Sequence, residues 1–238
     1  MSVVLELEGV CVSFGGRHVV QEVSLQVHAG RVVALLGLNG AGKTVTARAV
    51  AGLIPLRRGA VRLHGSEITT TAAEARVGLG LRHLPQVGGV VPDLTVAENL
   101  RLGGYILRRQ TAGYAQALAG VLGRFPLLAE RGDIRAGCLS AGQQRILALG
   151  RALMAKPQVL IADEPSAGLA PDAVAGLAET IRDLSREGLA ILLVEQNISL
   201  ARSLADEVVV LDRGAVVYRD SAAALDDARL ASLLGLGP

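Results

Sequence analysis

The stretch RVVALLGLNGAGKT, Arg31 to Thr44, narrows the possible folds more than any other. It opens on an uninterrupted apolar run and passes at once into a glycine-rich turn ending in lysine. A run that is apolar at every position has no solvent face, so it suits a strand buried on both sides in a parallel sheet. Parallel neighbours need crossover connections, usually helices, which makes the expected class α/β. The turn fits the pattern G-x-x-x-x-G-K-[ST] between a predicted strand and a helix expected over about 42–53, stopped by Pro55. Glycines let backbone N–H groups curl round phosphate oxygens, and a helix N-terminus adds partial positive charge. Gly37, Leu38, Asn39, Gly40, Ala41, Gly42, Lys43, Thr44 and Val45 are therefore candidate phosphate-binding residues. Lys43 would reach the β- and γ-phosphates, and the Thr44 hydroxyl would ligate Mg2+. The competing reading is a strand–helix turn that binds nothing. Only two of the 24 basic residues, Lys43 and Lys156, are lysine. A chain that uses arginine almost everywhere places lysine where a compact ammonium fits and a planar fork does not.

Two further stretches carry chemistry. VLIADEP, Val159 to Pro165, is a second all-apolar run that ends in adjacent carboxylates. Buried charge is costly, and open parallel sheets bind ligands at the carboxyl ends of their strands. Asp163 is the candidate for a Mg2+ shell and Glu164 for polarising a water that attacks a γ-phosphate. The alternative is a pair of ordinary loop or cap acids. In CLSAGQQRILALGRALM, Ser140 is a good N-cap and Gly142 allows close approach to the backbone before an apolar-periodic helix. This second phosphate-ready helix start lies in a different part of the chain, so it need not face the same phosphates. The simplest use is to complete the site of a neighbouring chain; the alternative is a plain serine-capped helix. Phe14, in an N-terminal strand region, is placed either to stack on a base or to fill the core.

The bulk numbers exclude several classes. A chain of 238 residues suits one large α/β domain, or a domain with a subdomain. No apolar run approaches the roughly 20 residues that span a bilayer. The start, MSVVLELEGV, carries Glu6 and Glu8 and no basic region, so it does not read as a signal peptide, and the expected compartment is the cytoplasm. Net charge is +2 and aromatics are 2%, which leaves neither a basic face nor stacking platforms for nucleic acid. Cys11 and Cys138 have no metal spacing and read as buried small hydrophobes. Histidines 18, 28, 64 and 83 also lack metal spacing and read as structural or surface residues.

Along the chain, VLELEGVCVSF and VVQEVSLQVHAG alternate as an antiparallel edge, and GAVRLHGSEI reads as another edge strand. LRHLPQ is a short strand ending at Pro85 and Gln86. From 87 to 157 strand signals vanish and helical patterns dominate, which marks an inserted helical subdomain. Core strands resume at QVLIADEP, LAILLVEQ, EVVVLD and AVVYR, with helices at about 171–187 and 199–204 and a last helix in AAALDDARLASLLG.

Taken together, these motifs and their order resemble the ATP-binding subunits of ABC transporters over nearly the whole chain. The resemblance implies a P-loop NTPase core with a mostly parallel sheet, an N-terminal antiparallel β subdomain and an inserted α-helical subdomain, as one cassette over residues 1–238. GLNGAGKT looks like the Walker A motif and VLIADEP like Walker B with its catalytic Glu164. Phe14 falls at the aromatic A-loop position. Gln86 resembles the Q-loop glutamine, a ligand of Mg2+ or attacking water and a relay to the membrane subunit. LSAGQ, with Ser140, Ala141, Gly142 and Gln143, is similar to the signature motif, and SAGLAPD to the D-loop. ATP and Mg2+ are the implied cofactors. A head-to-tail dimer with a sister ATPase, or with a second copy, is the implied assembly.

Two positions depart from the family pattern. Ala141 stands where glycine is usual, and a methyl is tolerated there if the backbone is not left-handed. Gln196 stands where a histidine usually contacts the γ-phosphate; glutamine hydrogen-bonds but cannot become a cation. Losing a charge-assisted bond costs on the order of 1–2 kcal/mol, about five- to thirty-fold in rate. The competing reading is that Gln196 is a neutral replacement. VEQN, LTVAENL, GRALM and EPSAGLAP together resemble one of the two ATPases of branched-chain amino-acid importers, with urea and short-amide importers sharing the texture. This implies transmembrane permease subunits, an extracytoplasmic solute-binding protein acting indirectly, and a place on the cytoplasmic face of the membrane. Val90, Val91 and Leu94, in the loop after Gln86, form the expected docking surface. A non-transport ABC-type ATPase and a non-catalytic regulatory subunit remain as alternatives.

Overall fold

The computed structural model describes residues 2–224. Two long strands, β1 (Val3–Phe14) and β2 (Arg17–His28), form an antiparallel hairpin. The buried strand β3 (Val32–Leu36) leads through the glycine-rich turn into α1 (Lys43–Val50). Strands β4 (Arg58–Leu63) and β5 (Ser66–Glu67) return to the hairpin, completing a four-stranded antiparallel sheet in the order β2-β1-β4-β5. A short helix, α2 (Ala73–Gly78), precedes β6 (Leu81–Leu84). Helices α3 (Val96–Gly103), α4 (Thr111–Arg124), α5 (Pro126–Glu130) and α6 (Ala141–Leu153) then follow without a strand. The core resumes with β7 (Val159–Asp163), α7 (Pro171–Arg186), β8 (Ala190–Glu195), α8 (Ile198–Leu204), β9 (Glu207–Asp212) and β10 (Ala215–Ser221). These strands with β3 and β6 make a six-stranded sheet, β10-β9-β3-β8-β7-β6, parallel except for β10.

Burial explains the topology. Every residue of β3, β7 and β8 is buried, as a strand covered on both faces requires. Alternate side chains go to two different cores. Val33, Leu35, Ile161 and Leu192 pack towards α1 and the antiparallel sheet. Val32, Leu160, Ala162 and Leu193 pack towards α6 and α7. Helix α7 starts at Pro171 and buries Leu177, Ala178, Ile181 and Leu184, a stripe at helical spacing.

Helix α1 ends at Val50, short of the expected Leu53, because Gly52 takes φ 79° and the N–H groups of Gly52 and Leu53 turn back to the carbonyls of Ala49 and Arg48. Arg76, 2% exposed, donates to the carbonyls of Ala49 at 3.2 Å and Val50 at 2.6 Å, and also to those of Thr69 and Thr71. The guanidinium thus caps the end of α1 and fastens it to the loop before α2.

Two sequence expectations need correction. Cys138 is exposed, because the 3-10 turn Ala136–Cys138 buries Ala136 instead. Cys11 is half-buried, with its Sγ accepting from the Glu22 N–H at 3.3 Å. Of the predicted C-terminal helix, only Ala222–Ala224 are described, and they form a 3-10 turn; the rest lies outside the described residues.

Candidate functional site

Parallel strands end on the same edge of a sheet, and here that geometry gathers the singled-out residues. The glycine loop follows β3, Gln86 follows β6, Glu164 follows β7, and Gln196 follows β8. Because β3, β8, β7 and β6 are neighbours in the sheet, their exits are neighbours too. This edge is where open α/β sheets take their ligands.

The loop itself needs its glycines. Gly42 has φ 101°, and a Cβ there would lie 2.7 Å from the Val19 carbonyl oxygen. A Cβ on Gly37 would meet the Leu211 carbonyl oxygen at 2.4 Å. No side chain fits either place, so the backbone runs tight against β2 and β9. Leu38, Asn39 and Gly40 are exposed at the tip, while Ala41 and Gly42 are buried. Lys43 is 4% exposed and folds back on its own loop, donating to the carbonyls of Gly37 at 2.8 Å and Leu38 at 3.1 Å. Burial pushes its ammonium below the usual lysine range, although Glu164, Asp163 and Glu195 pull the other way. An ammonium so desolvated gains from a polyanion brought to it.

Thr44 donates its hydroxyl to Asp163 Oδ1 at 3.1 Å, which pairs two hard oxygen donors at the mouth of the loop. Glu164 is 7% exposed, with φ 45°, a left-handed conformation uncommon outside glycine. Its Oε2 accepts from Gln86 Nε2 at 2.5 Å, its Oε1 accepts from Gln196 Nε2, and the Lys43 ammonium stands 3.8 Å away. The carboxylate is therefore held between two amides.

Other singled-out residues stay apart. Phe14 is 50% exposed at the end of β1, beside the tight turn to Arg17, so it is not a core residue. Ser140 to Gln143 share no hydrogen bond or ion pair with the glycine loop among the described residues; they form a self-contained capping box. Ser140 Oγ accepts from the Gln143 N–H at 3.3 Å, and Gln143 Oε1 accepts from the Ser140 N–H at 3.1 Å. Ala141 is the first residue of the helix and does not take a positive φ, so its methyl is accommodated. Val90, Val91 and Leu94 are half-buried, and Val90 packs on the helical core. The exposed apolar residue of that loop is Val87, at 83%.

Sequence reading passed over two residues that organise the site. Glu195 is 2% exposed and accepts three backbone N–H bonds: from Ser166 at 3.0 Å, Gln196 at 3.0 Å and Asn197 at 3.1 Å. An acid closing an all-apolar strand is the same signal that marks Asp163, so it was readable. Arg145 of α6 donates to the carbonyls of Pro85 at 2.9 Å and Gln86 at 2.8 Å, tying the helix that starts at Ala141 to the Gln86 segment. Nothing local in the sequence announces that contact.

A phosphate-cradling loop after one parallel strand, with acids ending the next strands, defines an α/β nucleotide hydrolase of the P-loop class. The chain belongs to the ABC transporter family, whose family model matches residues 20–167, and it is an ATPase that binds and hydrolyses ATP. It is 38% identical to the high-affinity branched-chain amino acid transport ATP-binding protein BraG of Pseudomonas aeruginosa, over 93% of this chain and 94% of that protein. It is 34% identical to a probable branched-chain amino acid transport ATP-binding protein LivF of Archaeoglobus fulgidus, over 86% of each. It is also 36% identical to the Nod factor export ATP-binding protein I of Ralstonia nicotianae, over 89% of this chain and 65% of that protein. The crystal structure of an ATP-binding cassette of an ABC transporter in its ADP conformation covers 100% of both chains with a TM-score of 0.88 at 24% identity, a likeness of fold.

Proposed function

We propose that the chain powers an importer of branched-chain amino acids, working as one half of a head-to-tail ATPase pair on the cytoplasmic face of the membrane. The observation that carries this reading is the split between two phosphate-ready helix starts. One opens inside the cluster of Lys43, Asp163 and Glu164; the other, at Ser140, is exposed and bonded only to itself. A second ATPase, a sister subunit or another copy, presents its own equivalent of the Ser140 tip to this chain's triphosphate and receives this one in return. BraG and LivF support the amino-acid substrate class.

Each residue has a part. The Gly37–Val45 segment cradles the phosphates, and the Lys43 ammonium leaves its own loop carbonyls for the β- and γ-oxygens. Phe14 offers its exposed ring to the base. Thr44 and Asp163 fit Mg2+, being a hydroxyl and a carboxylate already 3.1 Å apart, and Gln86, bonded to the adjacent Glu164, is the third candidate ligand. When bound, the ion would neutralise charge developing on the β- and γ-phosphates. Glu164 orients the attacking water, and the two amides holding it fix its direction. Gln196 contributes a neutral hydrogen bond where a cation would give a stronger one.

Among the described residues no helix is long and apolar enough to cross a membrane, so the membrane path belongs to permease subunits. A cleft of about 950 Å³ between α1, β6, α3 and α6 suits a permease loop. Its rim exposes Leu53 at 57%, Leu102 at 43% and Tyr105 at 61%, and Gly88 and Gly89 after Gln86 line it. Residues 87–157 form, in this reading, a helical subdomain that moves with that partner.

The test is reconstitution in vesicles with the permease subunits that co-purify with the chain. ATP-driven accumulation of leucine, lost in Glu164→Gln, is the expected result. ATP hydrolysis stimulated by a different solute, with no leucine uptake, would reject the substrate class.

A further inference from the structure

His83 lies on β6, opposite Ile161 of β7, on the face of the sheet that α1 covers. Its neighbours on that face, Leu81, Val159 and Ile161, are buried and apolar. The imidazole among them is only 11% exposed, and its Nε2 is buried with no hydrogen-bond partner. Buried polar atoms are nearly always paired, so an orphan among aliphatic residues calls for a reason. The acid nearest to it supplies one. Asp163 Oδ2 is 3.9 Å from His83 Nε2, about 1 Å longer than a typical hydrogen bond, while Asp163 Oδ1 accepts from the Thr44 hydroxyl at 3.1 Å. Asp163 is therefore gripped on one oxygen and approached on the other, and a small rotation of either side chain closes the gap.

We propose that His83 is a positioning residue for the cation site. Its Nε2–H donates to Asp163 Oδ2 and fixes the carboxylate plane, so that Oδ1 stays beside the Thr44 hydroxyl as a ready donor pair. Partners that orient a ligating carboxylate from behind govern metal affinity, and their loss typically weakens it ten-fold or more. The inference rests on the reading of Thr44 and Asp163 as the Mg2+ pair.

The test uses the full chain and two binding measurements. One is the affinity for a fluorescent ATP analogue, in Mg2+ and in EDTA. The other is Mn2+ affinity of the ATP-bound protein, read by electron paramagnetic resonance. His83→Leu is expected to weaken Mn2+ binding about ten-fold and to shrink the Mg2+-dependent gain in ATP affinity by a similar factor. Affinity in EDTA should not change. His83→Gln, whose amide nitrogen can still reach Asp163, should recover most of the loss. Unchanged Mn2+ affinity in His83→Leu overturns the proposal, and so does an equal loss of ATP affinity with and without Mg2+, which marks a merely structural role. Should His83→Leu fail to fold, His83→Gln against His83→Asn carries the same test, because the shorter amide cannot span the gap. Equal Mn2+ affinities in those two variants overturn the proposal. Asp163→Asn separates the layers: if it keeps wild-type Mn2+ affinity, the assignment of the cation pair itself is wrong.

Discussion

Replacing Glu195 by glutamine removes one charge and changes almost no volume, yet it should loosen two loops of the site at once. The Glu195 carboxylate is 2% exposed; Oε1 accepts from the Ser166 N–H, and Oε2 accepts from those of Gln196 and Asn197. A glutamine keeps its carbonyl on the side that serves two donors. Its NH2 group then faces the Ser166 N–H, donor against donor. Hydrogen bonds to charged groups contribute about 1.5–3 kcal/mol and neutral ones about 0.5–1.5. One charged bond is lost and two become neutral, a gross loss of about 5 kcal/mol. Relief from burying a carboxylate offsets part of this, leaving a net of about 2 kcal/mol. Urea unfolding followed by circular dichroism reads the difference. With a slope near 3 kcal/mol/M, the midpoint should fall by about 0.7 M. Amide exchange at Ser166 should quicken more than exchange in β7. A midpoint unchanged in Glu195→Gln, with Ser166 as protected as before, would show that the carboxylate does not hold the loops.

Three further outcomes follow from the same geometry. Arg76→Met removes the side-chain donor from the carbonyls of Val50, Thr69 and Thr71, while Ala49 keeps the Gly52 N–H, and calorimetry should show a loss of about 2–4 kcal/mol; a loss under about 0.5 kcal/mol would refute the capping role. Lys43 has a native pKa held below its unfolded one, so the native state sheds its proton first as pH rises and the charged form is a burden at neutral pH. Lys43→Met should therefore melt no earlier than wild type in the absence of nucleotide while losing ATP binding, and a clearly lower melting temperature would contradict this. Gln196→His should raise the maximal ATPase rate about ten-fold, the equivalent of one charge-assisted bond, and an unchanged kcat would mean that glutamine already suffices.

The parts of the fold that were legible in sequence are those written in local patterns. The apolar runs of β3 and β7 announce a parallel sheet, and the G-x-x-x-x-G-K-T turn between strand and helix announces a phosphate loop. The Ser140 cap was readable from serine, glutamine three residues on, and the helical run behind them. Helix α2 was missed because it is only six residues long and is preceded by Ala72, which offers no capping side chain. Arg145 and Arg76 reach backbone groups that only the fold brings near, so their identity says little until the strands are ordered, whereas Glu195 closes an all-apolar run and was readable. Cys138 was misread because a small apolar-like residue beside a leucine looks buried, whereas the turn there spends its inward position on Ala136.

The most direct measurement is the mass of the Glu164→Gln chain in Mg2+ and ATP, taken by analytical ultracentrifugation alone and mixed with its sister ATPase. Sandwiched nucleotide predicts a two-chain particle that dissociates when ATP is withdrawn or when Ser140 is replaced by arginine. A particle that keeps the mass of one chain under every one of these conditions, with ATP bound, would contradict it.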